Sequence, residues 1–321
     1  MKAVLLYGGR RLEVSDIPKP ELLRGWVLVR SELAGICGTD KAFYTGAYKL
    51  LKTPLVPGHE VVGIVEDGPE DLIGERVVSE INFPCWSCEY CRLGMYTHCP
   101  NKATLGIDFD GGMAEYFIAP LEAIHRFKLG PELGIFVEPL AAVLRAIRLK
   151  PPRPGDRIAV VGSGNLALLT IQVLRHMGVR VDLIARRGSV KAGYLKSMVN
   201  SVTYVDEIDE IEEPEYDIVF ETSGNPEALG IAIRVTKPLG VIHLKSTPGV
   251  GAPVNMTWAV VKELRIVGSR CGTFVDFEEA IRLLESGVVK PRLDKVFSID
   301  DAREAFETAL EPRYFKVAVK P

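Results

Sequence analysis

Residues 157–177 constrain this chain more than any other stretch. Arg157-Ile158-Ala159-Val160-Val161 is apolar and β-branched and reads as a buried strand. It runs into Gly162-Ser163-Gly164-Asn165-Leu166-Ala167 and then into an apolar stretch at helical spacing, Leu166–Met177. The first glycine permits a tight turn, the second lets the backbone approach a pyrophosphate, and the small Ala167 lets helix and strand pack closely. The helix start adds unpaired N–H donors and the positive end of the dipole. A Gly-x-Gly pair alone is a common turn. Set between a buried strand and an apolar helix, it predicts a dinucleotide held at Gly162, Gly164, Asn165 and Leu166. Further strands at Val179–Ala185, Asp217–Glu221 and Val241–Leu244 alternate with helical stretches. That alternation predicts a doubly wound parallel sheet of Rossmann type over residues 139–270, an α/β fold.

The end of the second strand carries the cofactor preference. An acidic residue about 20 positions beyond the last small residue of the motif grips the ribose hydroxyls in NAD-binding chains. Counting 19 on from Ala167 reaches Arg186, followed by Arg187, while Asp182 lies mid-strand and four residues early. Two arginines suit a 2′-phosphate through charge-assisted hydrogen bonds, so NADP is favoured over NAD, with use of both left open. The plain alternative is a pair of arginines solvating a loop.

A chain of 321 residues is too long for one ordinary core, so a second domain is expected. Up to residue 138 the sequence is rich in glycine, proline and short β-branched runs, such as Trp26–Ser31, Glu60–Glu66 and Arg76–Ser79. They predict a β-rich, barrel-like domain. A helix is expected over Glu138–Leu149. From 271 to 321 the pattern is mixed again, with helices at Phe277–Ser286 and Asp300–Leu310 and a last strand at Lys316–Val319, read as a return to the first domain. A net charge of −3 gives no basic field for nucleic acid. No apolar run reaches membrane-spanning length and the N-terminus lacks a signal-peptide pattern, so the expectation is a cytoplasmic protein without a membrane or nucleic-acid partner.

Clustered cysteines in a reducing compartment more often bind metal than form disulfides. Cys85, Cys88, Cys91 and Cys99 follow a C-x2-C-x2-C-x7-C spacing. Four thiolates so close in sequence can enclose one tetrahedral zinc and leave no open position, which makes a structural site. Two disulfides or an iron–sulfur cluster are the alternatives. Elsewhere stand Cys37 in GICGTD, His59 and Glu60 in PGHE, and Glu138 in VEPL. A thiolate, an imidazole and a carboxylate would give zinc three ligands and leave a fourth place for water or substrate. Singly, each has a plain reading: a buried thiol, a hydrogen-bonded loop histidine, a carboxylate at a helix start.

Taken in order, GICGTD, PGHE, the four cysteines, Asp110-Gly111-Gly112-Met113-Ala114-Glu115-Tyr116, EPLAAV, GSGNLA, Glu221-Thr222-Ser223-Gly224 and Val267-Gly268-Ser269 resemble the zinc-containing medium-chain dehydrogenases almost end to end. The resemblance implies a GroES-like catalytic domain beside the Rossmann domain. It makes Cys37 and His59 ligands of a catalytic zinc, Glu138 the third ligand, and Glu60 a ligand or close neighbour. It gives Asp40 the orienting of the histidine, Thr39 the passage of the hydroxyl proton, and Ser223 a place near the cofactor. Two zinc ions per chain and a homodimer or homotetramer are implied with it. The reaction implied is hydride transfer between a primary or secondary alcohol, polyol or sugar hydroxyl and NADP or NAD. Glutamate at 138 looks like the polyol, threonine and sugar branch, and Ala185-Arg186-Arg187 is similar to archaeal-type glucose dehydrogenases. Two departures stand out: Ala42 occupies the place of the liver-type relay histidine, and Cys271 matches no ligand. The rival readings are a zinc-independent quinone or enone reductase on the same fold and a non-catalytic NADP-binding sensor.

Overall fold

The computed structural model describes residues 1–210, 214–251 and 254–321. It forms two compact units. The first comprises Met1–Ala141, Cys271–Glu285 and Arg292–Pro321; the second comprises Ala142–Arg270 and Ser286–Pro291.

The first unit is built on the strand Trp26–Gly35, whose apolar and β-branched residues are buried along nearly its whole length. It pairs antiparallel with Glu60–Asp67, with Tyr116–Pro120 and, through its last residues, with Val317–Lys320. Arg76–Ser79 and Ile124–Arg126 extend one side, and Lys295–Ser298 extends the other in parallel with Val317–Lys320, giving a seven-stranded sheet. Val29, Val61, Val65, Val77, Phe117 and Val319 fill its core. The helix Ala302–Leu310 closes this core because Ala302, Ala305, Phe306 and Ala309 recur at helical spacing and are all buried. Phe306 lies 5.1 Å from the ring of Tyr44. Its removal to alanine would leave a cavity costing about 3–5 kcal/mol.

The second unit is a six-stranded parallel sheet in the order Val202–Tyr204, Arg180–Ala185, Arg157–Val161, Tyr216–Glu221, Thr236–Leu244, Arg265–Gly268. This is the order of a Rossmann sheet. Ile158, Ala159, Val160 and Val161 are buried, as a central parallel strand covered on both faces requires. Strand order reverses on either side of Arg157–Val161, and the carboxyl end at such a reversal is where ligands bind. Gln172, the only glutamine of the chain, locks Ser286–Pro291 to this unit. Its amide donates to the Lys290 carbonyl at 3.1 Å and accepts from the Lys290 N–H at 2.7 Å.

The strands outside the sequence reading include three at sheet edges: Val202–Tyr204, Arg265–Gly268 and Lys295–Ser298. All are short and end or edge their sheets, so pairing rather than an internal pattern makes them strands. The strand expected from Val241 begins at Thr236. Its pairing is interrupted between Thr236 and Val241, where Pro238 offers no N–H and Leu239 takes a φ of 63°. Among the described residues no helix is long and apolar enough to cross a membrane.

Candidate functional site

The four cysteines converge. Among the described residues they are the only His/Cys/Asp/Glu group whose ligand atoms all lie within 4.8 Å of one another. The Sγ atoms of Cys88 and Cys91 are 3.5 Å apart, those of Cys88 and Cys99 3.7 Å, and those of Cys85 and Cys99 3.5 Å. Four thiolates 2.3 Å from a tetrahedral zinc would stand about 3.8 Å apart, so the spacing fits that ion. All four are free thiols, which sets aside the two disulfides. Hydrogen bonds from Ser87, first its hydroxyl and then its backbone, draw the Cys85 thiol down to about 5, whereas burial pushes Cys91 up to about 12. Four thiols this close cannot all ionise without a cation, and a divalent ion supplies that charge.

A buried polar chain ties this lobe to the rest of the first unit. The Tyr96 hydroxyl donates to Glu80 Oε2 at 2.8 Å and accepts the Phe274 N–H. The other Glu80 oxygen faces His125 Nε2 at 3.4 Å, and His125 Nδ1 meets Glu278 at 2.6 Å. The imidazole stacks on Phe277 with a 5.1 Å centroid separation. Burial, with the Glu80 charge, raises the Tyr96 pKa, so the phenol stays protonated as a donor. Sequence reading missed Tyr96, Glu80 and His125. Their partners lie 16 to 178 residues away, so no local pattern marks them.

The second donor set is placed by a helix and a turn. Cys37 caps the helix Gly38–Thr45, and Asp40 Oδ2 accepts the Cys37 N–H at 2.8 Å in a capping box. His59 follows Gly58, which has a φ of 100° and sits so close to Met113 that an added Cβ would come within 2.9 Å of its backbone nitrogen. Gly112 donates to Gly58 and Met113 to Pro57, so the PGHE and DGGM motifs form one buckled platform beneath the histidine. The buried His59 points Nδ1 at Asp40 Oδ1 across 3.8 Å, too far for a hydrogen bond. Neither atom has another partner among the described residues. Burial alone would lower the His59 pKa. The charges of Asp40, Cys37 and Glu138 outweigh it and hold the pKa well above its usual value. Sulfur, nitrogen and carboxylate oxygen around an under-satisfied imidazole are a donor set suited to zinc.

Glu60 faces another way: its Oε2 is bound by the buried Lys316 ammonium. Burial works against the Lys316 charge, but Glu60 and Cys37 raise its pKa above the usual lysine value. Lys41, beside the same groups, has its pKa lowered by burial. Glu138 stands in the first turn of Val137–Leu149, buried. Thr39 is half-buried in the first turn after Cys37. Cys271 is buried and in no disulfide among the described residues.

In the second unit Gly162 has a φ of 108° and lies against Ser223, where a Cβ would come within 2.9 Å of the Ser223 Cα. Nothing lies within 4 Å of the Cβ position of Gly164, the open cradle a pyrophosphate needs. The helix Asn165–His176 begins there without a side-chain cap or an acidic residue in its first turn, so its N–H donors are free of side-chain acceptors. Asn165 Oδ1 is buried and has no hydrogen-bond partner among the described residues. Ser223 gives its hydroxyl and its N–H to Glu221 Oε1, at 2.6 and 2.7 Å. Arg186 and Arg187 follow directly on Arg180–Ala185. Arg187 is already engaged, donating to Asp206 at 2.8 Å and Glu207 at 2.5 Å. Among the described residues no hydrogen bond or ion pair engages the Arg186 guanidinium.

A Rossmann unit with an open glycine cradle, carried in one chain with a β-rich unit that holds a converging four-cysteine cluster, defines a nicotinamide-dependent oxidoreductase of the two-domain, zinc-associated class. Two family models match: the alcohol dehydrogenase GroES-like domain over residues 23–128 and the zinc-binding dehydrogenase model over 166–286. The chain belongs to the zinc-containing medium-chain dehydrogenase family. It is 27% identical to an alcohol dehydrogenase of Geobacillus stearothermophilus, over 96% of this chain and 95% of that one. It is 29% identical to an L-threonine 3-dehydrogenase of Paraburkholderia xenovorans (strain LB400), over 95% and 94%. A candidate zinc-binding dehydrogenase of Sinorhizobium meliloti 1021, solved bound to NADP, superposes with a TM-score of 0.90 at 28% identity, covering 100% of this chain and 99% of that one.

Proposed function

We propose that this chain is a zinc-dependent dehydrogenase of a small alcohol, polyol or sugar hydroxyl that prefers NADP to NAD. The observation that carries the reading is the half-buried Cys37 with the buried His59 and Glu138, whose charges act on one another, and Asp40 facing the imidazole, in a unit that separately carries the four-cysteine cluster. Cys37, His59 and Glu138 would hold a catalytic zinc and Cys85, Cys88, Cys91 and Cys99 a structural one, two ions per chain. A zinc ion at the first position contributes Lewis acidity toward an alcohol oxygen, and a bound nicotinamide contributes the hydride acceptor.

The chain's own residues do the rest. Asp40 faces Nδ1 of His59 and orients the ring by charge, which leaves the other nitrogen to serve as a ligand. Thr39 offers a hydroxyl next to that set to accept and pass the proton of the substrate alcohol. Lys316 holds the Glu60 carboxylate and keeps it from competing with Glu138 as a ligand. Gly162, Gly164 and the start of Asn165–His176 receive the pyrophosphate, and Arg186 the 2′-phosphate. The glutamate at 138 and the threonine and polyol dehydrogenases among the relatives support a hydroxylated substrate. A homodimer or homotetramer goes with the reading, since Arg265–Gly268 is the edge strand of its sheet among the described residues.

Elemental analysis of unstripped protein together with an activity screen tests this. Two zinc ions per chain are expected, with NADP reduction on at least one alcohol, polyol, aldose or L-threonine. Cys37→Ser and His59→Ala should abolish turnover and lose one zinc while keeping the fold. Near-normal turnover in those variants would refute the assignment.

A further inference from the structure

We propose that Asp206 and Glu207 form an acidic latch on Arg187 that sets how strongly this chain discriminates NADP from NAD. The inference rests on the reading above that the end of Arg180–Ala185 meets the adenosine ribose. The turn after that strand is attached to the glycine loop: Ser189 Oγ lies 2.9 Å from Ser163 Oγ, and the Ser189 N–H donates to the Arg186 carbonyl. Arg186 and Arg187 therefore stand where a ribose 2′-substituent arrives at the carboxyl end of the second strand.

The two arginines are not equivalent there. Arg187 Nε donates to Asp206 Oδ2 at 2.8 Å and Nη2 to Glu207 Oε1 at 2.5 Å, while its guanidinium carbon lies 4.5 Å from the centre of the Tyr204 ring. Two edges of the fork are occupied and one face is covered. One guanidinium against two carboxylates leaves the cluster with a formal charge of minus one, which Arg186 only cancels. A 2′-phosphate carrying about two negative charges thus meets a neutral group instead of two free cations. It gains Arg187 only by displacing carboxylates that already hold it. The side chains are 56%, 58% and 35% exposed, so water and salt screen the latch and opening it is inexpensive. Discrimination is therefore graded, with Arg186 supplying the basal preference and the latch withholding the second cation.

The test titrates NADP and NAD into the purified full-length chain, its Asp206→Asn/Glu207→Gln variant, and that variant carrying Arg187→Ala as well. Glutamine keeps a carbonyl oxygen for the Tyr204 N–H, which Glu207 Oε2 accepts at 2.9 Å. In the double variant NADP affinity should rise roughly three- to tenfold, a range set by exposed charge pairs, with NAD affinity little changed. The Arg187→Ala substitution should erase that gain. An unchanged NADP-to-NAD ratio in the double variant overturns the latch, as does a gain that survives loss of Arg187, which would be simple relief of repulsion. Arg186→Ala in the parent separates the two levels. If the parent binds both cofactors equally and Arg186→Ala alters neither, the NADP reading fails on its own. A parent that prefers NADP but ignores the acid pair sinks only the latch.

Discussion

His243 makes the second unit sensitive to acid. Its ring is buried in Thr236–Leu244, stacked 4.5 Å from Phe220, with Nε2 3.1 Å from the Lys150 carbonyl and Nδ1 without a partner among the described residues. The carbonyl can only accept, so Nε2 carries the proton and Nδ1 is the bare nitrogen. Burial, against the opposing pull of the Lys150 carbonyl, lowers the His243 pKa from 6.5 to about 4. The folded state therefore keeps this histidine neutral where the unfolded chain has begun to protonate. Stability is fully present above the unfolded value near 6.5 and falls as pH drops toward 4. The loss grows to about 2 kcal/mol near pH 5 and about 3 kcal/mol near pH 4, because each tenfold difference in proton affinity between the two states is worth roughly 1.4 kcal/mol. His243→Gln keeps a polar N–H donor but cannot be charged, so it should flatten this dependence while lowering stability at neutral pH. Hydrogen exchange of the 240–244 amides at pH 7 and at pH 5 is the assay, because it reads the second unit and is not confused by metal lost from the thiols. Equal acid sensitivity in parent and variant would show that His243 is not the group responsible.

Further perturbations separate the roles of other groups. Cys85→Ser opens the four-thiol cage and should lose one zinc and thermal stability, in contrast to Cys37→Ser, which should spare stability; metal content and melting read together would show the difference. Tyr96→Phe strands the Phe274 N–H and one Glu80 oxygen, and should cost about 1–3 kcal/mol in urea denaturation. Lys316→Met leaves Glu60 buried without its cation and should cost about 3–5 kcal/mol, with most of it recovered by adding Glu60→Gln. Because the Lys316 pKa is raised above 10.5, this contribution should hold across neutral pH and fade only above that value. A Lys316→Met melting temperature equal to the parent's would argue against the pair as a stabilising element.

What depends on neighbours along the chain could be read without the tertiary structure. Strand Arg157–Val161, the glycine turn and the helix after it were legible because burial period and turn chemistry are local, and the four cysteines because the first and last stand only 14 positions apart. Arg186 and Arg187 were found by counting along one strand. That count could not show that Asp206 and Glu207, some twenty residues later, already claim the second arginine. Nor could the sequence show what Glu60 meets, since the cation facing it lies 256 residues away at Lys316. The same holds for Tyr96, Glu80 and His125, joined across the sheet of the first unit. Periodicity and spacing carry the information that chain connectivity fixes. Which buried charge meets which partner is decided when distant strands pair, because desolvation and Coulomb energy depend on distance in space and not on separation along the chain.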